Sequence, residues 1–294
     1  MKRWQAHLAV FTANVIYGAN YSIAKTVTPL YIKPFGFIVI RAWTAAILFW
    51  ILGFLFPYEA IKRKDWQRII ICAIFGVAIN QLMFFKGLSL TSPINAGLVM
   101  ISNPVFVILL AFILYKEKIT GKHLTGIFLG IIGCTTLILY GASGNKTTAS
   151  PIGDLCIIIN SFSYAVYLVA VKPIMKEYHP VTIMKWVFLI GSIIILPFGY
   201  NEFTQIQWSA FTLNTWMATT FVVIGSTFFA YLLNTIGLIN LSASTVSVYI
   251  YLQPLLAAGF AIMLGKDSLN WIHVVSSIFI FSGVYLCIKR AEVN

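Results

Sequence analysis

Polar side chains occur near the centre of several segments that are otherwise almost entirely apolar. The segment closest to the N-terminus carries Asn14, Tyr17 and Asn20, with Gly18 among them. Asn14 and Tyr17 are three residues apart, a spacing that places two side chains on one face of a helix. Amide and phenol groups at this depth either bind a small polar molecule or join two helices by hydrogen bonds. We predict the first role, with helix packing as the alternative, and a close backbone approach at Gly18.

One arginine lies inside the second apolar segment. Arg41 is seven residues beyond Pro34, the first residue of that segment, which corresponds to about 10 Å along a helix. A charged side chain at this depth is unfavourable by several kcal/mol unless it faces protein, water or a partner. Arg41 can extend outward to the lipid headgroups, or it can face a cavity and attract a carboxylate or another anion. We predict the second arrangement.

Groups that could perform catalysis are missing from these segment centres. The eight acidic residues all fall in connections or at segment ends, and so do the four histidines. The four cysteines lie in apolar segments, and neither CxxC nor HExxH spacing occurs. Buried cysteines of this kind behave as small apolar residues. The sequence therefore predicts no enzyme, no metal site, no cofactor and no carboxylate that relays protons.

Two apolar segments contain a proline directly after an amide side chain. Asn103 precedes Pro104, and Gln253 precedes Pro254. Proline removes one helical hydrogen bond and frees a carbonyl one turn earlier, an arrangement that membranes tolerate where the backbone is buried or lines a wet cavity. We predict that Pro104, Pro254 and Gly18 act in kinking or gating. The predicted substrate site comprises Asn14, Tyr17, Asn20, Arg41, Asn80, Asn103, Tyr164, Tyr167, Tyr231, Tyr251 and Gln253.

The two prolines belong to an internal repeat. A shift of 150 residues aligns the stretch that starts at Gly87 with the stretch that starts at Gly237, without a gap. The matching pairs are Gly87/Gly237, Leu88/Leu238, Ser92/Ser242, Pro104/Pro254, Ala111/Ala261, Leu114/Leu264, Lys116/Lys266, His123/His273 and Gly133/Gly283. A repeat of this length indicates two similar halves. We place them at residues 1–145 and 146–294.

The elements that carry these residues have the length of membrane spans. The chain has 294 residues, of which 60% are hydrophobic and 10% charged, with a mean hydropathy of +0.89; soluble domains have roughly 25% charged residues. A membrane helix needs about 20 apolar residues. Segments of this kind lie at about 5–25, 34–56, 67–88, 91–115, 120–140, 152–172, 181–198, 214–236, 241–264 and 269–288. They predict an all-α integral membrane protein with ten transmembrane helices.

The distribution of charge predicts the topology. The net charge is +12, but the basic residues are spread over short connections instead of forming a nucleic-acid surface. With the N-terminus in the cytoplasm, fourteen Lys and Arg residues fall inside and four outside, in agreement with the positive-inside rule. Both termini are then cytoplasmic, as expected for a multi-pass protein of the cell (inner) membrane. Because each half has an odd number of spans, the halves form an inverted repeat around a central cavity.

Several short motifs in this order resemble the drug/metabolite transporter superfamily, EamA type. The resemblance covers residues 5–290. It is carried by Tyr17-Gly18-Ala19-Asn20, Arg41, Phe84-Phe85-Lys86-Gly87-Leu88, Asn103-Pro104, Glu117-Lys118-Ile119-Thr120-Gly121, Gly153-Asp154, Gln253-Pro254-Leu255 and Gly265-Lys266. It implies two inverted five-helix repeats, alternating access, and transport of small metabolites, commonly amino acids or related compounds and often outward. Asp267-Ser268 departs from the usual Glu-plus-basic turn.

We therefore expect a secondary transporter that exports a small polar metabolite, an amino acid or a related compound. Its partners are that small molecule and the lipid bilayer, without nucleic acid, and the sequence indicates no particular oligomeric state. The alternative is a lipid or drug flippase, or a multidrug exporter, of the same fold, which requires a laterally open apolar groove. An intramembrane enzyme and a channel are disfavoured.

Overall fold

A computed structural model of the chain describes residues 2–90, 96, 99–116, 119, 121–140, 151–263 and 271–289. These residues form helices and connections, with no β-strand among them. Within the described ranges, five helices are long and apolar enough to cross a membrane: Pro34–Gly53, Arg63–Leu90, Pro151–Ile174, Pro180–Thr204 and Leu213–Asn240. The prediction of a helical, membrane-type chain is confirmed at this level. The predicted boundary between the halves at 145/146, and the turn residues Glu117, Lys118 and Asp267, lie outside the described residues.

The helices are named here in chain order. They are α1 Arg3–Val27, α2 Pro34–Gly53, α3 Arg63–Leu90, α4 Asn103–Tyr115, α5 Gly121–Tyr140, α6 Pro151–Ile174, α7 Pro180–Thr204, α8 Leu213–Asn240, α9 with its two parts Ala243–Val248 and Leu252–Met263, and α10 Trp271–Lys289. A 3₁₀ turn, Tyr249–Tyr251, joins the two parts of α9. Proline occupies one of the first two positions of α2, α4 and α7, where its missing N–H leaves no helical hydrogen bond unmade.

Two helices contain a π-helical segment in their interior. The segments are Ile74–Ile79 in α3 and Phe221–Phe229 in α8. Shifting the first by 150 residues gives 224–229, which lies within the second. A π-segment widens the helical turn and redirects carbonyl and side-chain groups, and such segments are frequent at functional sites. Each is hydrogen-bonded to a residue that lines the cavity described below.

Helices that correspond by the 150-residue shift make reciprocal contacts. α2 packs against α7, and α5 packs against α10, so corresponding helices face each other. α3 packs against α6 while α1 packs against α8, and α4 packs against α6 while α1 packs against α9. In each of these pairs of contacts, replacing every helix by its counterpart under the 150-residue shift converts one contact into the other. A self-complementary pattern of this kind is typical of two units related by a two-fold axis.

The contact between α2 and α7 depends on a carboxylate and on small residues. The Glu202 Oε2 atom of α7 accepts hydrogen bonds from the backbone N–H groups of Phe35 and Gly36 at the start of α2, at 2.7 and 3.0 Å. A carboxylate at this position compensates the positive end of the helix dipole. A Cβ atom at Gly199 would lie 2.4 Å from the Phe35 carbonyl oxygen. The two helices are therefore in backbone contact at this end.

The outer surface of the helices is apolar over much of its length. Large hydrophobic side chains such as Ile47, Leu109, Phe128, Ile193 and Phe281 are each about half exposed or more. An exposed apolar surface of this extent is unfavourable in water but matches a hydrocarbon environment. The faces directed away from the protein interior therefore fit the predicted lipid contact.

Candidate functional site

A central cavity lies between helices from both halves of the chain. It contains about 640 Å³ of atom-free space, a figure that includes the part open to solvent. The residues that line it are Tyr17, Asn20, Arg41, Asn80, Gln81, Phe84, Phe85, Met100, Asn103, Asn160, Ser161, Tyr164, Tyr231, Ile250 and Gln253. None of these is acidic, and one of them, Arg41, is a cation.

Arg41 is fixed in the wall of this cavity. Its guanidinium donates from Nε to Thr227 Oγ1 at 2.8 Å and from Nη2 to Ser226 Oγ at 3.4 Å. Both hydroxyls belong to the π-segment of α8. The guanidinium carbon lies 4.7 Å from the centre of the Phe85 ring, a cation–π distance. The residue is only 5% exposed, so its charge is directed into the protein and not to the headgroups.

The remaining nitrogen of this guanidinium, Nη1, is buried and has no hydrogen-bond partner among the described residues. Ion pairs within the same residues join only Lys62 and Lys64 to Glu177. Leaving a buried charged donor unsatisfied is unfavourable. Arg41 is thus held in one orientation by two hydroxyls and a ring, with one donor available for an anionic group.

A network of hydrogen bonds connects α3, α6 and α8 beside Arg41. The Tyr231 hydroxyl lies 3.0 Å from the Gly76 carbonyl and 3.1 Å from Asn80 Oδ1. The Asn160 amide donates to the Asn80 carbonyl at 2.7 Å, and the Asn80 amide donates in return to the Asn160 carbonyl at 3.4 Å. The Gly76 carbonyl belongs to the π-segment of α3. Both π-segments therefore supply polar groups to the same site.

The helices are interrupted close to Pro104 and Pro254. A hydrogen-bonded turn from Val99 to Ser102 precedes α4, and the 3₁₀ turn Tyr249–Tyr251 precedes the second part of α9. Met100 and Ile250, which occupy these turns, line the cavity. Asn103, directly before Pro104, donates to the Ser161 carbonyl at 2.6 Å and so ties α4 to α6.

Several polar atoms around the cavity have no partner among the described residues. Gln81 is 3% exposed, and neither its amide oxygen nor its amide nitrogen is hydrogen-bonded. The same holds for the Oδ1 atoms of Asn20, Asn103 and Asn160. Buried polar groups in proteins are almost always hydrogen-bonded. Together with Arg41 Nη1, these atoms form a set of donors and acceptors that a polar ligand or water would satisfy.

Eight of the eleven residues predicted from the sequence line this cavity, and three do not. Asn14 is buried beside it, where its Oδ1 accepts from Gln253 Nε2 at 2.8 Å and so orients that amide. The Tyr167 ring packs on Gly76, with its hydroxyl 3.2 Å from Thr235 Oγ1. The Tyr251 ring is fully buried and packs on Gly130. Tyr167 and Tyr251 therefore lie outside the lining.

Three polar lining residues, Gln81, Asn160 and Ser161, are additional to that predicted set. All three are polar residues in apolar segments, which is the signal that could have identified them. Which polar residues reach the cavity depends on the rotation of each helix about its axis. Gln81 follows Asn80 directly, and both line the cavity. Gly18 is buried in α1, next to the lining residue Tyr17.

A second cavity adjoins the central one. It is lined by Ala24, Thr28, Pro29, Phe85, Leu88 and Ser89, and Phe85 is common to both. The site is therefore extended towards the α1–α2 connection. Away from both cavities, the Lys172 ammonium donates to the carbonyls of Leu238 and Leu241, which ties the end of α6 to the α8–α9 turn.

Comparison with known proteins identifies the family. The sequence model of the EamA-like transporter family matches residues 4–139 and again 151–289. The chain belongs to the EamA-like transporter family. It is a family of multi-pass membrane proteins.

Relatives from bacteria and archaea match this chain over nearly its full length, and two of the three described here are named as transporters. The uncharacterized transporter YyaM of Bacillus subtilis (strain 168) is 26% identical over 289 residues, covering 97% of this chain and 93% of that protein. An uncharacterized transporter of Archaeoglobus fulgidus is 25% identical over 291 residues, covering 96% of each. Protein PecM of Dickeya dadantii (strain 3937) is 26% identical over 281 residues, covering 94% of this chain and 90% of that protein.

A protein of known crystal structure has the same fold. It superimposes with a TM-score of 0.79 and covers 99% of both chains, at 19% sequence identity. At this identity the similarity establishes the architecture alone. The EamA-family fold of this chain is therefore shared by a protein of very different sequence.

Replacing Tyr231 by phenylalanine tests the hydroxyl that joins α3 and α8 in this EamA-family site. The change removes hydrogen bonds to Gly76 and Asn80 and leaves a buried carbonyl without that donor, at a cost of about 1–3 kcal/mol. We expect the initial rate of substrate transport in proteoliposomes to fall about tenfold. Tyr167→Phe is the matched control, because its hydroxyl lies outside the lining, and should retain most of the rate. Equal rates for the two variants would contradict this assignment.

Proposed function

We propose that this EamA-family chain is a secondary transporter that exports a small polar metabolite, an amino acid or a related compound, by alternating access. The observation that carries the proposal is Arg41, a buried cation in the cavity wall with an unpartnered nitrogen and no acidic neighbour among the described lining residues. A carboxylate on the substrate would complete its hydrogen bonds.

In this proposal the substrate binds between the two halves, in contact with both. Arg41 binds the anionic group; Asn20, Asn80, Asn103 and Gln253 orient the polar remainder. The aromatic rings of Tyr17, Tyr164 and Tyr231 enclose the apolar part. Asn14 acts through Gln253, by holding its amide. A polar lining of this kind favours a metabolite over a lipid, because a lipid flippase needs an apolar groove.

The proposed architecture is ten transmembrane helices in two inverted five-helix repeats, with both termini in the cytoplasm of a bacterial-type inner membrane. The reciprocal helix contacts, the paired π-segments and the paired interruptions near Pro104 and Pro254 support it. With the charge-based topology, the α1–α2 connection lies outside and the end of α6 lies inside. The cavity would then be extended towards the outside, and the Lys172 contact would lie on the cytoplasmic side.

Alternating access follows from the pairing of equivalent parts. If the two halves are related by inversion, each contact that closes the cytoplasmic end has a counterpart that can close the other end. Pro104 and Pro254 interrupt corresponding helices beside the cavity and provide places where such an exchange can bend the backbone.

The experiment that tests the proposal is metabolite profiling of cells with and without the protein, followed by transport assays of the leading compounds in proteoliposomes. We expect at least one small carboxylate to accumulate in the medium of expressing cells and to be carried by the purified protein. The same vesicles with Arg41→Gln serve as the control. If no compound differs between the cells and none is carried, the proposed function is wrong.

A further inference from the structure

The balance of charge in the central cavity indicates which small carboxylates it selects. Building on the proposed transport function, we infer that the site selects monoanions whose other polar groups are neutral hydrogen-bond donors, such as hydroxy acids and lactam acids. Zwitterions of the same size, including ordinary amino acids, bind less well. The inference rests on Arg41, on four amide oxygens and on the absence of acids among the described lining residues.

Arg41 contributes one positive charge, and no described lining residue contributes a negative one. A monoanion brings the net charge of the occupied site to zero. A zwitterion adds a carboxylate and an ammonium together, so that the occupied site retains a charge of +1 in a region of low dielectric. Because an uncompensated buried charge is strongly unfavourable, the monoanion is the better match.

The site also offers hydrogen-bond acceptors to the neutral part of such a ligand. The Oδ1 atoms of Asn20, Asn103 and Asn160, together with Oε1 of Gln81, are buried acceptors without a donor among the described residues. Hydroxyl and amide N–H groups satisfy acceptors of this kind without adding charge. The Gln81 side chain offers a donor beside its acceptor, which matches the adjacent N–H and C=O of a cyclic amide.

Gln81 is the position at which this selectivity can be inverted. Glutamate has nearly the shape of glutamine, and Gln81→Glu places a carboxylate in the lining where none is present among the described residues. The occupied site is then neutral with a zwitterion and carries one negative charge with a monoanion. The variant should therefore prefer the zwitterion, a result that loss of packing alone would not give.

The experiment measures binding to the purified full-length protein at pH 7 with two matched pairs of probes. The first pair is 5-oxoproline and proline, which share a five-membered ring; the second is 3-phenyllactate and phenylalanine, which share a carbon skeleton. We expect each monoanion to bind at least tenfold more tightly than its zwitterion. Gln81→Glu should reverse the order, and Gln205→Glu, which adds the same charge at an exposed position outside this cavity, should not.

Several outcomes would overturn the inference. The inference fails if both zwitterions bind to the unaltered protein as tightly as their monoanions or more tightly. It also fails if none of the four probes binds, or if Gln81→Glu leaves the order of the affinities unchanged. These results are separable from those for transport. If profiling and vesicle assays show export only of zwitterions, the transport proposal stands and this inference fails; if monoanions bind but no compound is carried, the transport proposal fails.

Discussion

Replacing Arg41 by glutamine is expected to reduce transport of the physiological substrate by at least tenfold. A hydrogen bond to a charged group contributes about 1.5–3 kcal/mol, and each 1.4 kcal/mol corresponds to roughly a tenfold change in affinity. Glutamine removes the charge and the unpartnered Nη1. The measurement is the initial rate of uptake into proteoliposomes at a substrate concentration below saturation.

Two further variants separate the charge of Arg41 from its shape. Arg41→Lys keeps a cation but loses the planar group that bonds both Thr227 and Ser226, so an intermediate rate is expected. Lys86→Gln removes an exposed cation next to Phe85, the residue whose ring contacts Arg41, and should leave the rate within about twofold, as surface substitutions usually have small effects. Unchanged transport in Arg41→Gln, with normal folding, would rule out its role in binding.

Gly283→Ala is expected to lower the stability of the folded protein. A Cβ atom at Gly283 in α10 would lie 2.5 Å from the Gly126 carbonyl oxygen and 2.8 Å from the Gly130 nitrogen, both in α5. Backbone atoms of a helix cannot yield as a flexible side chain does, so α5 and α10 must separate. Overpacking of this kind costs about 1–3 kcal/mol. We expect the melting temperature of the detergent-purified protein to fall by several degrees.

Gly259→Ala provides the matched control for this substitution. A Cβ atom at Gly259, also in a helix, would meet no atom within 4 Å. Alanine has a higher helix propensity than glycine, so the melting temperature should stay constant or rise. If both alanine variants melt at the same temperature, the close α5–α10 contact does not contribute to stability.

The residues that line the cavity could be predicted in part, because polarity at membrane depth is visible in a sequence. Asn20, Arg41 and Asn103 are polar residues within apolar segments, and all three reach the cavity. The same criterion selected Tyr167 and Tyr251, whose rings instead pack on Gly76 and Gly130. Tyrosine has a large apolar ring as well as a hydroxyl. Its presence in a span therefore does not indicate whether the ring packs between helices or the hydroxyl reaches the cavity.

The sequence did not predict which face of each helix points to the cavity. Tyr164 lines the cavity and Tyr167, three residues later, does not, because the space left by Gly76 on α3 accommodates the ring of Tyr167. The π-segments of α3 and α8 also lack a sequence signature, yet they place the Gly76 carbonyl and the Ser226 and Thr227 hydroxyls at the site.

The sequence by itself determined that this is a helical membrane protein, and its internal repeat predicts two related halves. In lipid every backbone polar group must be hydrogen-bonded within the protein, so apolar segments of this length form helices. Only the tertiary structure decided which polar groups share one cavity and which of their atoms remain unpartnered. Those properties depend on contacts between residues far apart in the chain, such as Arg41 with Thr227 and Asn14 with Gln253, and a pattern within one segment does not encode them.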